Sequence, residues 1–408
     1  VCIFSPSSKR HSVDNDESTG IVGIIQLQSS KYLVVITGRK ELRVAGLAAP
    51  VFKATNFQVF PITKGGSPSL LKNPVDKALV QLLQTHLYSG PLYYSYGWDL
   101  GSSFQRQSGR GYGKDTPLWQ KTDERFFWNR FLQQPLIASC ERGEADVSRF
   151  IQPMIYGFFE TKLMTIGSRK FLFGLISRRS RYRAGTRYFS RGIDDEGHVS
   201  NFNESEQFVI ADKAGNNEKD LVGQVKMAYI QTRGSVPVYW AEINNLRYKP
   251  DLLIMEREET GQATSLHFQE QTELYGDNYL VNLVNQKGYE KPVKEAYERA
   301  VDRLDNPKVH YTYYDFHHEC KGMHFENVIH LIETLNKKGH KREDWFHLDD
   351  TESSGSVKQA QSSVVRTNCM DCLGETKTSR ARKDIVAKIY SLHRPDQCSA
   401  EHAWQVDS

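Results

Sequence analysis

Ser362-Ser-Val-Val-Arg-Thr-Asn-Cys-Met-Asp-Cys-Leu373 places a short apolar stretch, Ser362–Val365, directly before a run that carries two cysteines. A strand that feeds a tight loop able to open a helix is a building unit of α/β folds. It is also where a phosphate-cradling thiolate would sit, because backbone N–H groups point inward at such a turn and a helix N-terminus adds partial positive charge. Both stabilise a thiolate and a bound phosphate. Phosphate-ester cleavage through cysteine needs three parts. A thiolate of low pKa attacks phosphorus. A bidentate arginine and backbone donors hold the phosphoryl oxygens. A carboxylic acid protonates the leaving alkoxide. Cys369 fits the nucleophile and Asp371 the acid, but the slot six residues after Cys369 holds Glu375, a carboxylate that repels phosphate. The residues alone leave alternatives open. Cys369 and Cys372 could form a redox pair, bind zinc with His393 and Cys398, or be ordinary buried cysteines.

Strand and helix patterns spread outward from this stretch. Apolar runs at Phe171–Ile176, Tyr279–Leu283 and Tyr311–Phe316 read as buried strands, and Lys291–Leu304 and Glu326–Leu335 as amphipathic helices. Their alternation predicts an α/β unit from about residue 161 to 376. Residues 20–160 read as a β-rich N-terminal subdomain. Alternating runs such as Ile24–Leu27 and Tyr32–Ile36 predict antiparallel strands. Within it, Ala78–Leu87 predicts a helix, Tyr93–Tyr96 a strand, and Thr122-Asp-Glu124 a helix start leading to Phe126, Phe127 and Phe131. Residues 351–362 read as a flexible connection. Residues 1–19 read as a disordered arm, and 377–408 as a tail without a helical stripe.

The chain has 408 residues, 25% of them charged, and a net charge of +4, which is ordinary for a soluble globular protein and gives no case for a nucleic-acid partner. Six scattered cysteines do not make a disulfide scaffold, and a reducing compartment is expected. No signal peptide and no apolar run of the roughly 18 residues needed to span a bilayer is visible. Val1 in place of Met suggests a fragment or a processed end.

Longer stretches narrow the choice. They include Lys121-Thr-Asp-Glu-Arg-Phe-Phe-Trp-Asn129, Phe150-Ile-Gln-Pro153, Arg183-Ala-Gly-Thr-Arg-Tyr-Phe189, Asn201-Phe-Asn-Glu204, Gln231-Thr-Arg-Gly-Ser-Val-Pro237 and Tyr239-Trp-Ala-Glu-Ile-Asn-Asn245. Leu274–Gly288, Asp315-Phe-His-His-Glu-Cys320 and Val365–Leu373 complete the set. Over about residues 20–373 the chain resembles the Sac-domain phosphoinositide phosphatases, and within them the membrane-anchored members that act chiefly on phosphatidylinositol 4-phosphate. The resemblance implies an α/β (α+β overall) fold, with a β-rich N-terminal subdomain and an α/β catalytic subdomain carrying a cysteine phosphate-binding loop. It implies Cys369 as nucleophile, Asp371 as proton donor, and Met370, Cys372 and Leu373 around the substrate, with Arg366 and Asn368 bracing the loop. It implies no cofactor and no metal, a phosphoinositide on a membrane surface as partner, and the cytosolic face of the endoplasmic reticulum or Golgi.

The family's loop reads Arg-Thr-Asn-Cys-Met-Asp-Cys-Leu-Asp-Arg-Thr-Asn. Here its aspartate falls on Gly374 and its arginine on Glu375, and beyond Thr376 nothing matches. An unspliced intron that interrupts an aspartate codon after its first base and begins GTGAG would give Gly then Glu. The chain as written is therefore expected to be impaired, and without the family's membrane anchor it would be soluble or peripheral. The alternative is a pseudophosphatase that binds lipid without turnover. Arg178, Arg179, Arg183 and Arg187, in a stretch that also holds Arg181 and Arg191 and no acid, read as a patch for anionic headgroups. Arg233 is a further basic candidate at a turn. In Asp315–Cys320 a strand would point adjacent histidines to opposite faces, so structural hydrogen bonding is expected there and not a metal.

Overall fold

The computed structural model describes residues 19–44, 46–47, 49–62, 73–109, 115–166, 169–185, 190–211, 225–243, 250–320, 327–350, 355–368 and 370. The arm before residue 19 and the tail from 371 to 408 lie outside the described residues.

One continuous sheet organises the chain. Strands β1 (Gly20–Gln26), β2 (Lys31–Leu42) and β3 (Val51–Ile62) form an antiparallel meander. Helix α1 (Pro74–Tyr88) starts where the Asn73 side chain accepts from Val75 N–H at 2.9 Å and Pro74 fills the first turn, the usual chemistry of a helix start. Strand β4 (Leu92–Tyr94) pairs with β3. Short helices α2 (Phe104–Gly109) and α3 (Leu118–Lys121) precede α4 (Arg130–Glu141). The helix start read at Thr122 is a 3₁₀ turn, Glu124–Phe126, in which the Asp123 carboxylate takes Arg125 N–H at 3.0 Å. Phe126 and Phe127 are buried in separate clusters, while Phe131 on α4 is 76% exposed.

Strand β5 (Ile155–Ile166) crosses the division placed near residue 160. Ile155 and Tyr156 pair with β4, and the remainder pairs with β6 (Arg169–Arg179). The sheet continues antiparallel through β7 (Asn203–Ala211) and β8 (Val225–Arg233). A separate two-stranded ribbon follows, β9 (Trp240–Ile243) with β10 (Asp251–Ile254).

Beyond β10 come α5 (Thr260–Tyr275), β11 (Asp277–Asn282), α6 (Lys291–Asp302), β12 (Val309–Tyr313), α7 (Phe316–Glu319) and α8 (Val328–Lys337). Then follow β13 (Phe346–Asp349), β14 (Ser356–Gln359) and β15 (Ser363–Asn368). The order β8-β15-β11-β12 is parallel throughout, and β13 caps the first half of β8 antiparallel. Parallel strands buried on both faces need helices on both sides. Leu280 of β11 packs with Phe268 of α5 and Tyr297 of α6, while its neighbours Tyr279 and Val281 pack with Leu331, Ile332 and Leu335 of α8. The predicted mixed α/β architecture is thus observed.

Two sequence expectations need correction, and one helix was not foreseen. Helix α5 has no clear apolar stripe, because Thr264, His267 and Gln271 share its buried face with Ala263 and Phe268. Residues 356–359, read as flexible connection, form β14 against β13. The segment with adjacent histidines is not strand: β12 ends at Tyr313, and Asp315 accepts from His318 N–H at 3.1 Å beside α7, so the opposite-faces argument does not apply.

Candidate active site

In open α/β sheets the functional crevice lies beyond the carboxyl ends of the parallel strands. Here those ends are Arg233 of β8, Asn368 of β15, Asn282 of β11 and Tyr313 of β12. Thr367 lies opposite Arg233, and Asn368 opposite Asn282. Cys369 follows Asn368 directly. Cys369, Asp371, Cys372, Leu373, Gly374, Glu375 and Arg187 lie outside the described residues, as do His393 and Cys398. The structure therefore gives the frame that delivers the chain to Cys369, and Met370 beyond it.

That frame is polar, and Asn282, Arg366 and Asn368 within it are buried. The Asn368 side chain donates to Asn282 Oδ1 at 2.8 Å, and the Asn368 main-chain carbonyl accepts from Leu283 N–H at 3.0 Å. Asn282 in turn donates to the Tyr311 hydroxyl at 2.9 Å and accepts from Val284 N–H at 3.2 Å. One asparagine thus ties β15, β11 and β12 at the same edge. Arg366 is 0% exposed and lies across the α5–α6 face. It donates to Ser235 O at 3.0 Å and to the Tyr297 hydroxyl at 3.3 Å. A Cβ on Gly234 would stand 2.8 Å from Val199 Cγ2, so the buried Val199 would have to shift to admit a side chain at the turn after β8. Beyond Cys369, the Met370 side chain is buried in the cluster of Phe268, Val284 and Tyr297. Its carbonyl accepts from Arg191 Nη1 at 2.8 Å.

The arginine-rich stretch is distributed differently from the expected headgroup patch. Arg178 is 0% exposed, pairing with Glu204 at 3.0 Å and Glu206 at 2.7 Å. The missing acids come from β7, the neighbouring strand, which the local sequence could not reveal. Arg106, at 2.8 Å from Glu204, and Arg125, at 2.8 Å from Asp123, complete a buried network with the Tyr275 hydroxyl, which donates to Glu204 at 2.5 Å. Burial pushes the Glu204 carboxyl up, but Arg106 and Arg178 outweigh it and hold it below the usual range. Burial dominates at Glu206, which is raised. Arg179 is also buried. It donates to Gly185 O and Asn201 Oδ1, each at 2.5 Å, and its guanidinium lies 5.7 Å from the Trp128 ring. Neither Arg178 nor Arg179 presents a cation to a ligand, which corrects their reading as substrate contacts. Arg183, at φ 44°, donates to Arg191 O at 2.8 Å and is exposed.

Sequence reasoning missed Glu242, Tyr289 and the loop contact of Arg191. Each comes from a different segment, and only the fold brings them together.

This sheet and its strand ends are those of a mixed α/β domain. A profile of the SacI homology domain matches residues 19–321, most of the chain, and the chain belongs to that family. It is 48% identical over 299 residues to the phosphatidylinositol-3-phosphatase SAC1 of Saccharomyces cerevisiae, covering 73% of this chain and 46% of that protein. It is 34% identical over 382 residues to the phosphatidylinositol-3-phosphatase SAC1 of Drosophila melanogaster, covering 91% of this chain and 60% of that protein. The phosphatidylinositide phosphatase SAC2 of Mus musculus is 37% identical over 331 residues, covering 75% of this chain and 27% of that protein. The chain spans about half the length of the first two curated relatives named. Among the described residues no helix is long and apolar enough to cross a membrane.

Proposed function

We propose that the chain is the phosphatase domain of a phosphoinositide phosphatase, cleaving the phosphate monoester of phosphatidylinositol phosphates at a membrane surface. The observation that carries it is Asn368, the residue directly before Cys369, ending an inner parallel strand in a chain whose residues 19–321 match the SacI homology domain. Cys369 attacks phosphorus as thiolate, the P–O bond to the inositol oxygen breaks, and Asp371 gives its proton to that oxygen. Water then cleaves the phosphocysteine and releases phosphate. Backbone donors of Met370, Cys372 and Leu373 hold the phosphoryl oxygens, with Arg366 and Asn368 behind the loop. No metal enters this scheme. With Arg178 and Arg179 internal, Arg183 and Arg187 are left from the expected set to meet the headgroup.

The SAC1 relatives carry the name phosphatidylinositol-3-phosphatase. The 4-phosphate as chief substrate, and the cytosolic face of endoplasmic reticulum or Golgi as location, belong to the proposal. The test is phosphate release from vesicles carrying the 3-, 4- or 5-phosphate, with chelator present. Release that is fastest from the 4-phosphate and lost in Cys369→Ser supports the reading, and release unaffected by Cys369→Ser refutes it. Glu375 favours a second reading, a lipid-binding domain without turnover. Replacing a bidentate phosphate donor costs the transition state about 3 kcal/mol or more, and reversing its charge costs further. Vesicle binding with no phosphate release would establish that reading.

A further inference from the structure

We propose that Arg191 is a positioning residue for the loop after β15: its hold on the Met370 carbonyl orients the loop that makes Cys369 a thiolate. The inference rests on the function proposed above. Arg191 is 3% exposed and sits in the connection between β6 and β7, 179 residues from its loop partner. Its guanidinium is itself held. Nε donates to Glu242 Oε2 at 2.6 Å, and Nη2 approaches the same oxygen at 2.5 Å. The Tyr289 hydroxyl donates to the other carboxylate oxygen at 2.9 Å. With Nε and Nη2 turned to Glu242, Nη1 faces the Met370 carbonyl at 2.8 Å.

The chemistry gives that contact a purpose beyond neutralising Glu242. A loop that cradles phosphate must turn its N–H groups inward and its carbonyls outward. Peptide units are planar, so capturing one carbonyl fixes the direction of the whole unit that follows Met370. The buried Met370 side chain pins the same residue from the core side. The residue next to Cys369 is thus gripped at both ends, by an apolar cluster and by a cation whose own orientation is set by β9 and the turn Gly288–Glu290.

The test reads the thiol and not turnover, so it works on the chain with Glu375 in place. Alkylation of Cys369 by iodoacetamide is followed against pH by peptide mass spectrometry, with Cys140 as internal reference. In Arg191→Gln the midpoint should rise by about one pH unit, roughly tenfold less thiolate at a fixed pH below it. Arg191→Lys, which keeps a cation and a donor, should fall between the two. A midpoint in Arg191→Gln equal to that of the unaltered chain overturns the inference and leaves the proposed function standing. Should Arg191→Gln fail to fold, Tyr289→Phe loosens Glu242 without stranding a charge. A smaller upward shift there supports the inference, and no shift overturns it. If Cys369 of the unaltered chain titrates like Cys140, the thiolate reading of the loop fails, and this inference with it.

Discussion

Replacing Arg178 by methionine separates an arginine that serves the fold from one that serves a lipid. Its guanidinium reaches Glu204 at 3.0 Å, Glu206 at 2.7 Å and the carbonyls of Leu100 and Ser102 at 2.5 and 3.2 Å, all inside the protein. Glu204 would keep Arg106 and Tyr275, but among the described residues Glu206 would keep only the N–H of Phe104, at 2.8 Å. Breaking a buried pair by removing one partner costs about 3–5 kcal/mol, because a charge stays behind unpaired. Against a total stability of roughly 5–15 kcal/mol, that is a large fraction. Urea unfolding followed by tryptophan fluorescence should show this loss in Arg178→Met. Arg178→Met combined with Glu206→Gln removes the stranded charge and should recover about half of it or more. A single variant that loses less than about 1 kcal/mol while vesicle binding collapses would refute the reasoning and return Arg178 to the lipid site.

Other perturbations probe the frame. His267 is 2% exposed, its Nδ1 lies 3.0 Å from Gly197 O, and burial together with the Arg366 cation holds its pKa well below the usual histidine range. Its neutral form is therefore worth full stability above the unfolded value of about 6.5, and protonation of the unfolded chain removes stability as pH falls below that. Unfolding free energy should drop by up to about 2 kcal/mol from this residue between pH 7 and 5, and His267→Gln should flatten that slope in urea titrations. Gly276, at φ +73°, has no room for a Cβ, which would stand 2.0 Å from Ser362 O; Gly276→Ala should lose more than about 1 kcal/mol by the same assay. Asn282→Ala strips the partners of Asn368 and Tyr311 and should cost about 2 kcal/mol, with faster amide exchange at Leu283 and Val284. Phe131→Ser, at an exposed site, should stay within about 0.5 kcal/mol of the parent in thermal melts.

The parallel core was readable where burial is continuous: β11 and β15 carry apolar runs because both faces are covered, and α6 and α8 keep a clear stripe. Helix α5 escaped because its core face is partly polar, with Thr264 donating to Pro237 O at 2.8 Å in place of an apolar contact. At the site, Asn368 and Arg366 could be picked out beside Cys369, since they are adjacent in sequence. Glu242 and Tyr289 could not, because their role exists only through Arg191. The arginine stretch misled for the same reason: a charge run shows its cations, whereas Glu204 and Glu206 reach Arg178 only through strand pairing. Local sequence reports which groups are available. Register and crossover decide which of them meet.

The most direct measurement is phosphate release from phosphatidylinositol phosphate vesicles by the chain carrying Gly374→Asp and Glu375→Arg, alongside the chain as it stands. Restoring a bidentate donor to the transition state should raise turnover at least about tenfold, and Cys369→Ser in the restored background should abolish it. A restored chain that releases no phosphate, or releases it equally well without the Cys369 thiol, would contradict the assignment of this strand end as a cysteine phosphatase site.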